Sequence, residues 1–76
     1  MLEPIQVKLA RVALGFGVRE LAEAASIAPS TITRFESGKG GMQARTLDKI
    51  QRVLERGGVV FIEADKDGGV GVRLKR

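Results

Sequence analysis

Apolar residues recur at helical spacing over most of this chain and switch to strand spacing near its end. Pro4 suits the first turn of a helix. Ile5, Leu9, Val12 and Ala13 form one stripe of that helix. Val7, Arg11 and Leu14 form a second stripe on another side. A helix apolar on two sides is expected between packed neighbours. Gly15 ends it, and Gly17 restarts the chain. The spacing predicts a second helix from Val18 to about Ala25, with Leu21, Ala22 and Ala25 on one face. Ser26-Ile27-Ala28 reads as a turn, with Ile27 filling the gap between two helices. Pro29 opens a third helix that covers Pro29 to Ser37 and stops at Gly38, although Ala28 is a poor N-cap. A basic, glycine-rich loop from Lys39 to Gln43 leads to a last helix, Ala44 to Arg56. Its core stripe is Leu47, Ile50 and Leu54, with Val53 flanking, and Gly57-Gly58 ends it.

Beyond Gly58 the period changes. Val59 to Glu63 is a β-branched and aromatic run, and Ala64 to Gly69 is a turn cluster. Val70, Val72 and Leu74 then alternate with Gly71 and Arg73. This is a β-hairpin pattern.

The third helix carries the most informative pattern. At about 100° per residue, Ile32, Phe35 and Glu36 share its inner side, and Ser30, Thr33, Arg34 and Ser37 share its outer side. An ordinary solvated face would carry more Lys and Glu. Short hydroxyl side chains let a helix approach another surface closely. Two short helices joined by a tight turn, the second bearing such a face, have the layout of a unit that places its second helix in the DNA major groove.

Composition narrows the choice. Seventy-six residues make one small domain, near the lower limit for a self-sufficient core. The absence of Cys and His excludes disulfides and the usual zinc sites. A chain this short without such staples often gains stability by oligomerising. Thirteen cations against nine anions, a net charge of +4, mildly favour an anionic partner. The carboxylates are not paired, and the Gly-rich pieces match no phosphate loop. Neither catalysis nor a cofactor or metal is expected. No apolar run is long enough to span a bilayer, so no membrane partner is expected. The N-terminal stretch has no signal-peptide core, and the expected location is the cytoplasm.

Glu20-Leu21-Ala22, the run STITRFESG from Ser30 to Gly38, and TLDKI from Thr46 to Ile50 follow a helix bearing Arg11. In this order they resemble the phage-repressor/Cro (XRE) family of helix-turn-helix regulators over roughly residues 5–56. The resemblance implies a mainly α, compact, lambda-repressor-like bundle of four to five helices, here extended by the C-terminal β-hairpin. The expected division is a DNA-binding domain over 1–58 and a dimerisation hairpin over 59–76. The resemblance also implies that helix three enters the major groove, that helix two abuts the phosphates with its N-terminus, and that dimers bind near-palindromic sites. It supports an internal salt bridge between Arg11 and Glu36, a pairing to which two opposite charges facing a small core also point. Gly17 and Val18 stand where relatives commonly carry a small polar residue and then glutamine. Pro29 and Ser30 stand where relatives often carry glutamines that read adenine. The target sequence is therefore not inherited from a relative.

Arg34 is the expected base reader, its planar fork suited to O6 and N7 of guanine. Ser30, Thr31 and Thr33 are expected to bond base edges or phosphates. The other reading of Ser30 and Thr31 is service to the helix N-terminus. Arg19, Ser37, Lys39, Arg45 and Thr46 are phosphate candidates, several of them near helix starts. Arg73, Lys75 and Arg76 either add contacts to nucleic acid or keep a strand edge soluble. An isolated hairpin is marginal, and strand edges invite pairing. Val59, Val60, Phe61, Ile62, Val70 and Val72 are therefore expected to form a homodimer interface, the other reading being a hairpin folded back on its own helices. With a dimer hairpin, truncation after Gly57 leaves a folded monomer. The leading function is a sequence-specific, homodimeric regulator of double-stranded DNA, a repressor. The alternative is a DNA-binding antitoxin whose C-terminal segment binds a toxin protein. A third reading, a protein adaptor, is disfavoured by the polar outer face of helix three.

Overall fold

Proline, reciprocal capping bonds and left-handed residues set most helix ends of this protein. The computed structural model describes residues 1–75. α1 (Pro4–Ala13) has Pro4 in its first turn, and the Glu3 N–H donates to Gln6 Oε1 at 3.0 Å. It closes at Gly15, with φ of 74°. There the N–H groups of Gly15 and Phe16 return to the carbonyls of Val12 and Arg11 at 3.0 and 2.9 Å, a Schellman closure. α2 (Val18–Ala25) starts after Gly17, whose N–H donates to Glu20 Oε1 at 2.8 Å. It closes the same way on Ser26, a non-glycine residue at φ of 57°. Holding Ser26 in this left-handed region costs about 1 kcal/mol. α3 (Pro29–Glu36) begins on Pro29 without a capping side chain. α4 (Ala44–Arg56) runs into Gly57-Gly58. Among the described residues the helices number four.

The core is one cluster. Val7, Leu21, Ile32, Ile50, Leu54 and Val59 are all less than 2% exposed. Ala10, Ala22 and Ala25 are also buried, and their small size lets helix backbones approach. Leu2 and Val7 occupy the positions of a hydrophobic staple around the start of α1. Close approach is strictest at Gly57, where an added Cβ would lie 2.6 Å from Leu14 Cδ1.

The two-stripe expectation for α1 is corrected. The buried side carries Gln6, Val7 and Ala10, whereas Ile5, Leu9 and Val12 are 48, 42 and 61% exposed. These three point within about 60° of one another, on the side away from the core. The remaining elements pack on one side of α1 only. The stripe that won burial contains a glutamine.

β1 (Val59–Ile62) and β2 (Gly71–Leu74) pair antiparallel, with Val59 opposite Leu74 and Phe61 opposite Val72. Across the turn, Asp65 Oδ1 accepts the N–H groups of Asp67 and Gly68 at 2.8 and 3.1 Å. The hairpin folds back on its own helices. Val59 lies in the core, and Phe61 and Val72 pack against it. The buried Gln6 donates to the carbonyls of Ile62 and Gly71, each at 3.1 Å, and Lys75 N–H donates to Gly58 O at 2.8 Å. Of the six residues expected at a dimer interface, Val59, Phe61 and Val72 are therefore engaged within the protomer. Val60 is 39% exposed, and Ile62 and Val70 are half-buried. Position 58 does not separate two cores, because Val59 completes the helical one. Among the described residues, no helix is long and apolar enough to cross a membrane.

Candidate nucleic-acid interface

α3 is held from behind. Ile32 and Phe35 anchor its inner side in the core. Beside them, Arg11 Nε and Nη2 donate to Glu36 Oε2 and Oε1, each at 2.9 Å. The remaining terminal nitrogen, Nη1, donates to Phe16 O at 2.9 Å. One guanidinium thus joins α1, the approach to α2 and the end of α3. The two side chains are only 14 and 8% exposed. The hydrogen bonds to Glu36 raise the Arg11 pKa above its ordinary value. Burial opposes this, and the Glu36 charge adds to it. Arg11 therefore stays cationic at any working pH. Breaking such a desolvated pair by deleting one partner costs ~3–5 kcal/mol.

The opposite side of α3 is bare. Ser30, Thr33, Arg34 and Ser37 are exposed, and Thr31 is half-buried. The Thr33 hydroxyl donates to Pro29 O at 3.3 Å. The Ser37 hydroxyl donates to Arg34 O at 3.1 Å. Their protons are engaged, so both oxygens are left as acceptors facing solvent. That favours amino groups of cytosine or adenine over phosphate oxygens as partners. Ser30, in the first turn, makes no such back-bond, and its proton is available.

Exposed cations stand at helix starts and in the loop after α3. Arg19 stands in the first turn of α2, Lys39 in the loop after α3, and Arg45 in the first turn of α4. Thr46 follows Arg45 and is half-buried. Neither α3 nor α4 has a side chain capping its N-terminus, so the first N–H groups of α4, and that of Ser30 in α3, remain as anion donors. Among the described residues the salt bridges are Arg11–Glu36 and Arg52–Asp48. Arg19, Arg34, Lys39 and Arg45 thus have no carboxylate partner there. Arg73 and Lys75 are exposed on the hairpin, and Arg76 lies outside the described residues.

Sequence reasoning missed two supports of this arrangement. Glu20 fixes the start of α2 through Gly17, and the spacing of the two is a capping signal. Gln6 ties the hairpin to α1, and nothing in its neighbourhood along the chain marks it as buried.

The clamped inner side and the hydroxyl and guanidinium face belong to the second of two short helices joined by a tight turn. A family model described as helix-turn-helix matches residues 7–59. No curated protein matches the chain. The matched segment runs from Val7 in α1 to Val59, the first residue of β1, and the chain belongs to the XRE-type helix-turn-helix family of DNA-binding regulators.

Proposed function

We propose that the protein is a sequence-specific repressor that acts in the cytoplasm as a homodimer, without catalytic activity, by laying α3 in the major groove of its operator. The observation that carries this reading is the exposed Ser30, Thr33, Arg34, Ser37 face, braced from behind by the Arg11–Glu36 pair. Arg34 reads guanine, and Ser30, Thr31 and Thr33 meet neighbouring base edges. Arg19, Lys39, Arg45 and Thr46 hold the phosphates on either side, while Ser37, its proton spent on Arg34 O, accepts from a base amino group. The dimer forms through the outward side of the hairpin, where Val60 and Ile62 remain available.

Selection of bound duplexes from a random pool tests the reading. It should yield one near-palindromic sequence preferred over random duplex by ~10³-fold or more. Each phosphate contact should add about −0.9 to the slope of log affinity against log salt. Recovery of no preferred sequence would remove the proposal. A Val60→Glu protein should bind a single half-site normally and lose its preference for the full site. An unchanged full-site preference would move the dimer contact elsewhere.

A further inference from the structure

Two surfaces that the DNA reading does not use lie side by side. One is the outward stripe of α1, where Ile5, Leu9 and Val12 are 48, 42 and 61% exposed. The other is the free edge of β2. The bond from Lys75 N–H to Gly58 O sets the phase of the ladder, so Val60–Arg73 and Ile62–Gly71 are the bonded pairs. The N–H and C=O groups of Val72 and Leu74 therefore point away from β1. Among the described residues, no backbone bond outside the ladder takes them up. β2 packs on α1, whereas β1 packs on α4, so the free edge of β2 faces away from α4. α1 runs along the hairpin. Gln6 bonds carbonyls at the turn end of the strands, and Ala13 lines a recess with Leu74 and Lys75 at the other end. From the line of Gln6 and Ala13 the stripe points roughly 90° around the helix, away from the core. Stripe and strand edge therefore open on the same side.

We propose that a second copy of this chain docks on this side about a twofold axis, β2 pairing antiparallel with its counterpart while the two α1 stripes close on each other. Spacing supports this. Gln6 reaches carbonyls that point between β1 and β2, so α1 lies under the midline of the hairpin. With strands about 4.8 Å apart, a twofold axis beside β2 stands about 5 Å from that midline. The two α1 helices then lie about 10 Å apart, a distance at which helices pack. Charge supports it independently. Glu63, Asp65 and Asp67, with Lys66 among them, are exposed at the turn end of the hairpin, and Arg73 and Lys75 are exposed at the other end. Antiparallel pairing brings the acidic end of each copy beside the basic end of the other. A partner of one charge sign would meet repulsion at one end. Lys8 points about 60° off the stripe, away from the hairpin, and stays in solvent. This contact is separate from the outward side of the hairpin that bears Val60, so the two contacts together join dimers into larger assemblies.

The full chain is its own probe. Sedimentation velocity over a range of concentrations compares the parent with Leu9→Glu, Leu74→Pro and Val60→Glu, each shown to be folded by circular dichroism. The parent should associate beyond the dimer. Leu9→Glu, which puts a charge into the closed seam, should weaken that association by about tenfold or more. Leu74→Pro should weaken it too, because proline removes an edge donor and leaves the ladder to β1 intact. Both should stop at the dimer held through Val60, and Val60→Glu should stop at the dimer held through α1 and β2. A dimeric parent that Leu9→Glu splits and Val60→Glu does not would also support the docking, and would remove the Val60 contact instead. A Leu9→Glu protein that sediments as the parent does would overturn the proposal and leave the Val60 contact standing. A monomeric parent would overturn both. Loss from Leu9→Glu with none from Leu74→Pro would overturn the strand pairing.

Discussion

Glu36 and Arg34 sit two positions apart on the same helix and meet opposite fates. The Glu36 side chain is 8% exposed and grips Arg11 through both oxygens. Arg34 is exposed, has no carboxylate partner among the described residues, and lies against a glycine. The difference is one of direction: two residues on a helix are separated by about 200° around its axis. Charge on the inner side of α3 is structural, tied to Arg11. Charge on the outer side is held in reserve for a partner that supplies the complementary groups.

Deleting each arginine breaks the comparison most sharply. Arg11→Ala leaves Glu36 buried and unpaired, and should lower stability by ~3–5 kcal/mol in thermal or denaturant unfolding. Glu36→Ala should match it. Arg34→Ala should stay within about 0.5 kcal/mol of the parent and lose its effect only on DNA. Comparable losses of stability from Arg11→Ala and Arg34→Ala would erase the distinction between the two sides.

The hairpin gives the next largest effect. Truncation after Gly57 removes Val59 from the core and leaves Gln6 without its carbonyl partners. The core loses Val59 and the packing of Phe61 and Val72 against it, and full burial of one such side chain is worth about 1.5–3 kcal/mol. The truncated chain should therefore unfold at lower denaturant than the parent, contrary to the folded monomer expected of a detachable dimer hairpin. Circular dichroism during urea unfolding measures this. A smaller cost attends Gly57→Ala, where the new methyl meets Leu14 and overpacking should cost ~1–3 kcal/mol. A folded protein of unchanged stability would mean that Leu14 has room to move. The smallest effect has the opposite sign. Ser26→Gly should stabilise the turn between α2 and α3 by up to about 1 kcal/mol, because glycine relieves the left-handed strain.

Much of this arrangement is legible along the chain. α2 and α4 occupy the spans that their apolar spacing and terminal glycines indicate. α3 ends one residue early because Ser37 serves as the cap. Arg11 and Glu36 are legible as partners because each is a charge at an inward position of a helix. α1 is less so. Its two apolar stripes look alike in period, and only the packing of neighbours reveals which one faces the core. Gln6 reverses the usual polarity rule because its amide satisfies the carbonyls of a strand pair more than fifty residues away in sequence. The docking of the hairpin follows from that bond and from Val59, and neither has a local signature.

Guanine N7 methylation interference tests the central claim most directly, because N7 lies on the major-groove edge that α3 is said to read. With the selected operator, methylation of one guanine in each half-site should block binding by the parent protein. The same methyl groups should make little difference to Arg34→Ala, which has already lost that contact. Binding by the parent that ignores every major-groove methyl, or an identical interference pattern in Arg34→Ala, would contradict the account.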